Sequence, residues 1–349
     1  MSGFDAFLGS KKLIARLKRD IEDARLAHAY IIEGAQGSGK KTLARLICSA
    51  VACESSDRPC MECISCSKIK RGQSPDVITV EAERDRVQLG VDVIRRLRED
   101  AVFAPNDLVK KFYIIPKADT MNVQAQNAIL KILEEPPPHV MFLLLCENAD
   151  ELLSTIRSRA PVLRVEALSD DIIRDHLKKN DERAKKLFER DPDAFHASVK
   201  LSHGSLGKAM SLTGEKSAAE CLALYKSAER YLELLSARRD GASELAFHEY
   251  ATKLANSKQR SELGSIYSLL ADAARDLVMC KLTQNAQPLF YTTHEKARLI
   301  ADRFAVGKLI SLVDVFIEAR DSLERNANVN LSQVRTSCAA IAATRTSRK

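Results

Sequence analysis

The chain has 349 residues, 45% hydrophobic and 29% charged, a balance that excludes disorder and collagen-like repeats and, at about 150 residues per domain, allows two to three cores. Lys plus Arg number 54 against 47 Asp plus Glu, a formal charge of +7, which is compatible with nucleic acid nearby without requiring a direct grip on it. There is no Trp and aromatics are 5%, which argues against a base-stacking platform.

Short apolar runs alternate with helical patterns through the first half. Residues 29–32, 77–80, 112–115 and 141–146 are expected as buried strands, with 162–165 as a fifth. Between them, 43–51, 91–97 and 123–133 carry helical spacing. Continuous apolar strands alternating with helices indicate a parallel sheet covered on both faces. From Ser169 onward the pattern is helical. Ser169-Asp170-Asp171 and Asp191-Pro192 each open a helix, and Gly204-Ser205 separates the next. Longer helices are expected over 218–235 and 294–323, with breaks at Gly241, Asn256-Ser257 and Gln287-Pro288 and a frayed end over 344–349.

Nine cysteines are present, four of them within 53–66. An odd count with this clustering does not fit a secreted disulfide framework. The first twelve residues carry no apolar signal core. The longest apolar run, Val140 to Cys146, is far shorter than the roughly 20 residues that span a bilayer. The reading is a cytoplasmic, reducing environment without a membrane.

After the first strand comes Gly34-Ala35-Gln36-Gly37-Ser38-Gly39-Lys40-Lys41-Thr42. Gly34, Gly37, Gly39 and Lys40 have the arrangement of a phosphate-binding loop entering a helix, so ATP or ADP is the candidate ligand. The magnesium-holding hydroxyl expected directly after the lysine is absent. Lys41 occupies that position, and Thr42 lies about 100° further round the helix. Pro116-Lys117 stands where an ATPase would carry its acidic pair, and Asp119 reads as a helix N-cap before Met121. Hydrolysis in the chain's own site is therefore not expected.

Cys53, Cys60, Cys63 and Cys66 form a four-thiolate set suited to a closed, structural Zn²⁺ site. An iron–sulfur cluster and unligated thiols are the alternatives, and Lys70 stands where a ferredoxin-type run would place its fourth Cys. The remaining cysteines, Cys48, Cys146, Cys221, Cys280 and Cys338, read as small core hydrophobes. His28 reads as a packing or loop residue, and Glu134-Glu135 before Pro136 as a helix end. The basic residues around Lys11 and Arg95 read as solvated faces.

Residues 127–137, Asn-Ala-Ile-Leu-Lys-Ile-Leu-Glu-Glu-Pro-Pro, resemble the signature of bacterial clamp-loader subunits, which are AAA+ ATPase-like. So do His28-Ala29-Tyr30 before the phosphate loop and the inserted four-cysteine module. Ser158-Arg159 falls at the family's Ser-Arg-Cys motif, with Ala160 in place of Cys, and Asn326-Ala327-Asn328 with Leu331 at its closing helix. Within the family the chain resembles the delta-prime branch rather than the tau/gamma motor. Lys41, Pro116-Lys117 and Gly207, where motors carry an ATP-sensing Arg, are the departures. The resemblance implies an α/β AAA+ core with a parallel sheet over 1–167, an all-α lid over 168–213 and an all-α collar domain over 214–349. It implies tau/gamma motor and delta subunits as partners, and through them the sliding clamp and primer–template DNA. In that setting Arg159 would be a trans arginine finger for a neighbouring ATP site within the DNA polymerase III holoenzyme. An active tau/gamma-like ATPase and a zinc-dependent nucleic-acid-binding regulator are the competing expectations.

Overall fold

The structure, a computed structural model, describes residues 3–82, 89–237, 240–283, 288–291, 294–325 and 327–344. Two compact units divide the chain. The first is Met1–Asp175 with Gly204–Lys208, and the second is His176–His203 with Ala209–Lys349. No helix among the described residues is long and apolar enough to cross a membrane.

In the first unit, α1 (Lys11–Glu22) precedes β1 (Ala29–Glu33), α2 (Lys40–Ala52) and α3 (Ile64–Arg71). These are followed by β2 (Val77–Thr79), α4 (Val91–Asp100), β3 (Lys111–Ile115), α5 (Val123–Glu134), β4 (Val140–Cys146), α6 (Ser154–Arg157) and β5 (Val162–Arg164). All neighbouring strands pair in parallel, in the order β2-β3-β4-β1-β5. Side chains alternate between the two faces of the sheet. Ile31, Tyr113, Phe142 and Leu144 pack with Ile94, Leu97, Ile129 and Ile156 on one side. Ile32, Phe112, Ile114 and Leu143 pack with Leu17, Leu43, Ile47 and Ile69 on the other. The expected α/β core with helices on both faces is present, and the four-cysteine insertion lies between α2 and β2. Such a sheet places its ligand crevice at the carboxyl ends of the strands, where the loop after β1 emerges.

After β5 the regular structure is helical: α7 (Asp170–Asn180), α8 (Glu182–Arg190), α9 (Pro192–Leu201), α10 (Leu206–Leu212), α11 (Glu215–Ser236), α12 (Gly241–Ser257), α13 (Arg260–Leu282), α14 (His294–Ala301), α15 (Val306–Glu324) and α16 (Val329–Thr344). The second unit closes around Tyr231, Phe247, Tyr267, Phe290 and Phe316, all buried. Tyr231 meets Phe247 and Phe316 edge-on at 4.8 and 5.9 Å.

Three expectations need correction. The helix expected over 294–323 is two helices, because Phe304 turns into the core between them. Asp119 is not the N-cap of the following helix. Asn122 fills that role, its side chain accepting from the Ala125 amide at 2.8 Å. Of the five scattered cysteines only Cys48, Cys146 and Cys221 are core residues. Cys280 is half-buried and Cys338 is exposed on α16. Gln287, Asn326 and 345–349, named above at a helix break, in the closing motif and in the frayed end, lie outside the described residues.

Candidate functional site

The loop 34–39 leaves the end of β1 and enters α2. Gly37 and Gly39 adopt φ of +74° and +96°, the left-handed region that favours glycine. Gly39 is the N-cap of α2 and no side chain caps the helix, so its first-turn amides are available to an anion. Ser38 Oγ is buried without a partner. Lys40 Nζ donates to the Gly34 and Ala35 carbonyls at 2.6 and 2.9 Å. Burial pushes the Lys40 ammonium below its ordinary pKa, opposed by the nearby Glu147, Cys146 and Asp119. Asp119 thus belongs to the sheet edge beside this loop, where its Oδ2 accepts from the Glu147 amide at 2.7 Å. An uncapped helix start, an orphaned hydroxyl and a lysine turned onto loop carbonyls fit a phosphate group. The residues do not supply the hydroxyl after the lysine. Thr42 instead lines a cavity of about 540 Å³ together with Arg45, Leu46 and Ser49 of α2.

The segment 204–208 belongs to the same unit and lies against this loop. Ser205 Oγ donates to the Gln36 carbonyl at 2.8 Å, and the Gly207 amide donates to the Gly37 carbonyl at 3.1 Å. A Cβ on Gly207 would stand 3.0 Å from Gly37 O, and one on Gly37 would stand 2.6 Å from Ser205 Oγ. Both glycines are required by this close approach of two backbones.

Arg159 follows α6. Its Nη1 donates to Thr155 O at 2.9 Å and to Ser158 Oγ at 3.3 Å, and its Nη2 lies 2.8 Å from Glu134 Oε1. The side chain is about one-third exposed. Sequence reasoning missed Gln126, a buried residue of α5. Its Oε1 accepts from the Leu153 amide at 2.8 Å, and its Nε2 donates to the Met121 and Glu151 carbonyls at 3.0 and 3.4 Å. A Gln within a helical pattern, with Gln124 two positions before it, gives no sign that it fastens the segment carrying the arginine.

The four cysteines converge. Cys53 ends α2, Cys63 caps α3 and Cys66 lies in its first turn. The sulfurs all lie within 4.8 Å of one another, and Cys53 and Cys63 are 4.0 Å apart. Four sulfurs about 2.3 Å from one tetrahedral centre stand roughly 3.8 Å apart, so the set fits such a metal. The Cys60 and Cys63 amides point at the Cys53 and Cys60 sulfurs at 3.5 and 3.3 Å. The amides of Glu62 and Cys63 hold the Cys60 thiol down at about 6, which favours the thiolate a metal needs.

Comparison with known proteins bears on this arrangement. The family described as DNA polymerase III, delta subunit, matches residues 9–169. The DNA polymerase III subunit tau of Bacillus subtilis is 36% identical over 158 residues, 45% of this chain and 28% of that one. The delta-prime subunit of Bacillus subtilis is 36% identical over 171 residues, 49% of this chain and 51% of its own. The tau subunit of Escherichia coli is 32% identical over 216 residues, 61% of this chain and 32% of its own. The chain therefore spans about half or less of the length of these relatives. A gamma subunit-related structure from Thermotoga maritima aligns over 95% of this chain and 99% of its own at 20% identity and a TM-score of 0.41. The tau and delta-prime identities are equal and do not separate the branches. What these comparisons share is a likeness to subunits of DNA polymerase III over the region that carries the glycine-rich loop and Ser158-Arg159.

Proposed function

We propose that the chain is a clamp-loader subunit of the delta-prime kind, a stator that supplies Arg159 to the ATP site of an adjacent motor subunit while the sliding clamp is loaded on primed DNA. The observation that carries this reading is the pairing of a degenerate loop with a held arginine. Lys41 replaces the magnesium-binding hydroxyl, and Gly207 lies against Gly37 where a sensing arginine would need room. Arg159 meanwhile sits in a fixed, partly exposed position after α6. Guanidinium suits the task because it is always charged and forks onto phosphate oxygens.

In this reading Gly34, Gly37, Gly39 and Lys40 hold the phosphates of a resident nucleotide without turning it over. Cys53, Cys60, Cys63 and Cys66 hold a structural Zn²⁺, whose four protein ligands leave no open position for chemistry. The core 1–167, lid 168–213 and collar 214–349 are the working divisions, with tau/gamma and delta subunits as partners.

The test is ATP turnover by a reconstituted complex with motor and delta subunits. Arg159→Ala is expected to lower clamp-stimulated turnover at the served site by about tenfold or more while the complex still assembles. Unchanged turnover overturns the finger role. The equal tau identity favours a second reading, an active motor. Steady hydrolysis by the isolated chain that Lys40→Ala abolishes would establish it instead.

A further inference from the structure

Arg159 does not sit alone. Its guanidinium is gripped at both terminal nitrogens, Nη1 by Thr155 O and Ser158 Oγ and Nη2 by Glu134 Oε1 at 2.8 Å. Its Nε–H has no partner among the described residues, so one edge remains open to an incoming oxygen. Glu134 is the last residue of α5, and that helix end is itself fixed. His28 Nε2 donates to the Leu133 carbonyl at 3.1 Å, and three prolines, 136–138, follow directly. Gln126 on the same helix fastens the chain just before α6 through Leu153 and Glu151. One helix therefore holds the arginine-bearing segment at its base through Gln126 and at its tip through Glu134.

We propose that Glu134 is a positioning residue that aims Arg159 toward the neighbouring site. The inference rests on the reading of Arg159 as a trans finger and deepens it. An arginine side chain carries large rotamer freedom, and a group already oriented loses less of it on meeting its phosphate. The carboxylate is half exposed and pairs with the guanidinium. It acts only by holding the guanidinium, and a partly exposed ion pair has a modest effect.

Steady-state ATP turnover by the reconstituted complex tests this with five versions of the chain: wild type, Glu134→Ala, Glu134→Gln, Arg159→Ala and the double variant. Glu134→Ala is expected to lower kcat about threefold to fivefold with KM and assembly unchanged. Glu134→Gln, which retains an acceptor oxygen, is expected to recover most of that loss. The double variant is expected to match Arg159→Ala alone, since Glu134 has nothing to hold once the arginine is gone. A Glu134→Ala complex as fast as wild type or faster, beside a slow Arg159→Ala complex, overturns the positioning role and leaves the finger standing. An additive loss in the double variant also overturns it. Normal turnover with Arg159→Ala removes the finger reading itself, and this inference with it.

Discussion

Asp76 is fully buried, yet its carboxylate accepts four hydrogen bonds from protein donors. Its Oδ1 accepts from the Asn106 amide and side chain at 2.7 and 3.1 Å. Its Oδ2 accepts from the Asp107 and Leu108 amides at 2.6 and 2.8 Å. Burial pushes the carboxyl upward, and these four donors overcome it, so its pKa lies below the ordinary value. Stability from the ionised group is thus complete above the unfolded pKa of about 3.9 and disappears as pH falls through the lower folded value. Asp76→Ala is expected to cost about 3 kcal/mol at pH 7, because buried amides lose their acceptor. Urea melts at pH 7 and pH 3 check both statements, and the gap between variant and wild type should shrink at the lower pH. Asp276 performs a comparable task in the helical unit, accepting from the amides of Leu289, Phe290 and Tyr291 at 2.7, 2.7 and 3.1 Å. Neither role was legible in the sequence. A carboxylate whose partners lie thirteen or more positions away looks like any other surface acid.

At the level of elements, the strands were legible because a sheet covered on both faces needs unbroken apolar runs. All five expected runs form strands, with ends shifted by a residue or so. The break between α14 and α15 was not legible. It falls at Asp302-Arg303-Phe304-Ala305, which contains no Gly or Pro, and burial of Phe304 rather than local chemistry makes it. The cysteine spacing carried most of its own geometry, since Cys60, Cys63 and Cys66 recur every third residue around the start of α3. Elemental analysis is expected to give one zinc per chain, falling well below one in Cys60→Ser. A chelator is expected to lower the melting temperature of wild type, because metal binding that requires the folded site contributes its binding free energy to folding. The phosphate loop was equally plain as a motif. Its engagement by Ser205 and Gly207 was not, because about 170 residues separate the partners.

For the whole molecule, two units with separate cores are expected to melt in two steps rather than one. Calorimetry of the full chain checks this. Zinc removal is expected to move only the transition of the unit that contains the four cysteines, leaving the helical unit's transition where it was. A single transition displaced as a whole would mean that the two cores unfold together.

Gly37 and Gly207 lie backbone against backbone, and this couples changes at the two positions. An arginine placed at position 207 would bring its Cβ to 3.0 Å from the Gly37 carbonyl oxygen. The loop would have to give by a few tenths of an ångström to admit it. A hydroxyl placed at position 41 would leave that contact as it is. Any side chain gained at position 207 is therefore coupled to the conformation of the loop at Gly37.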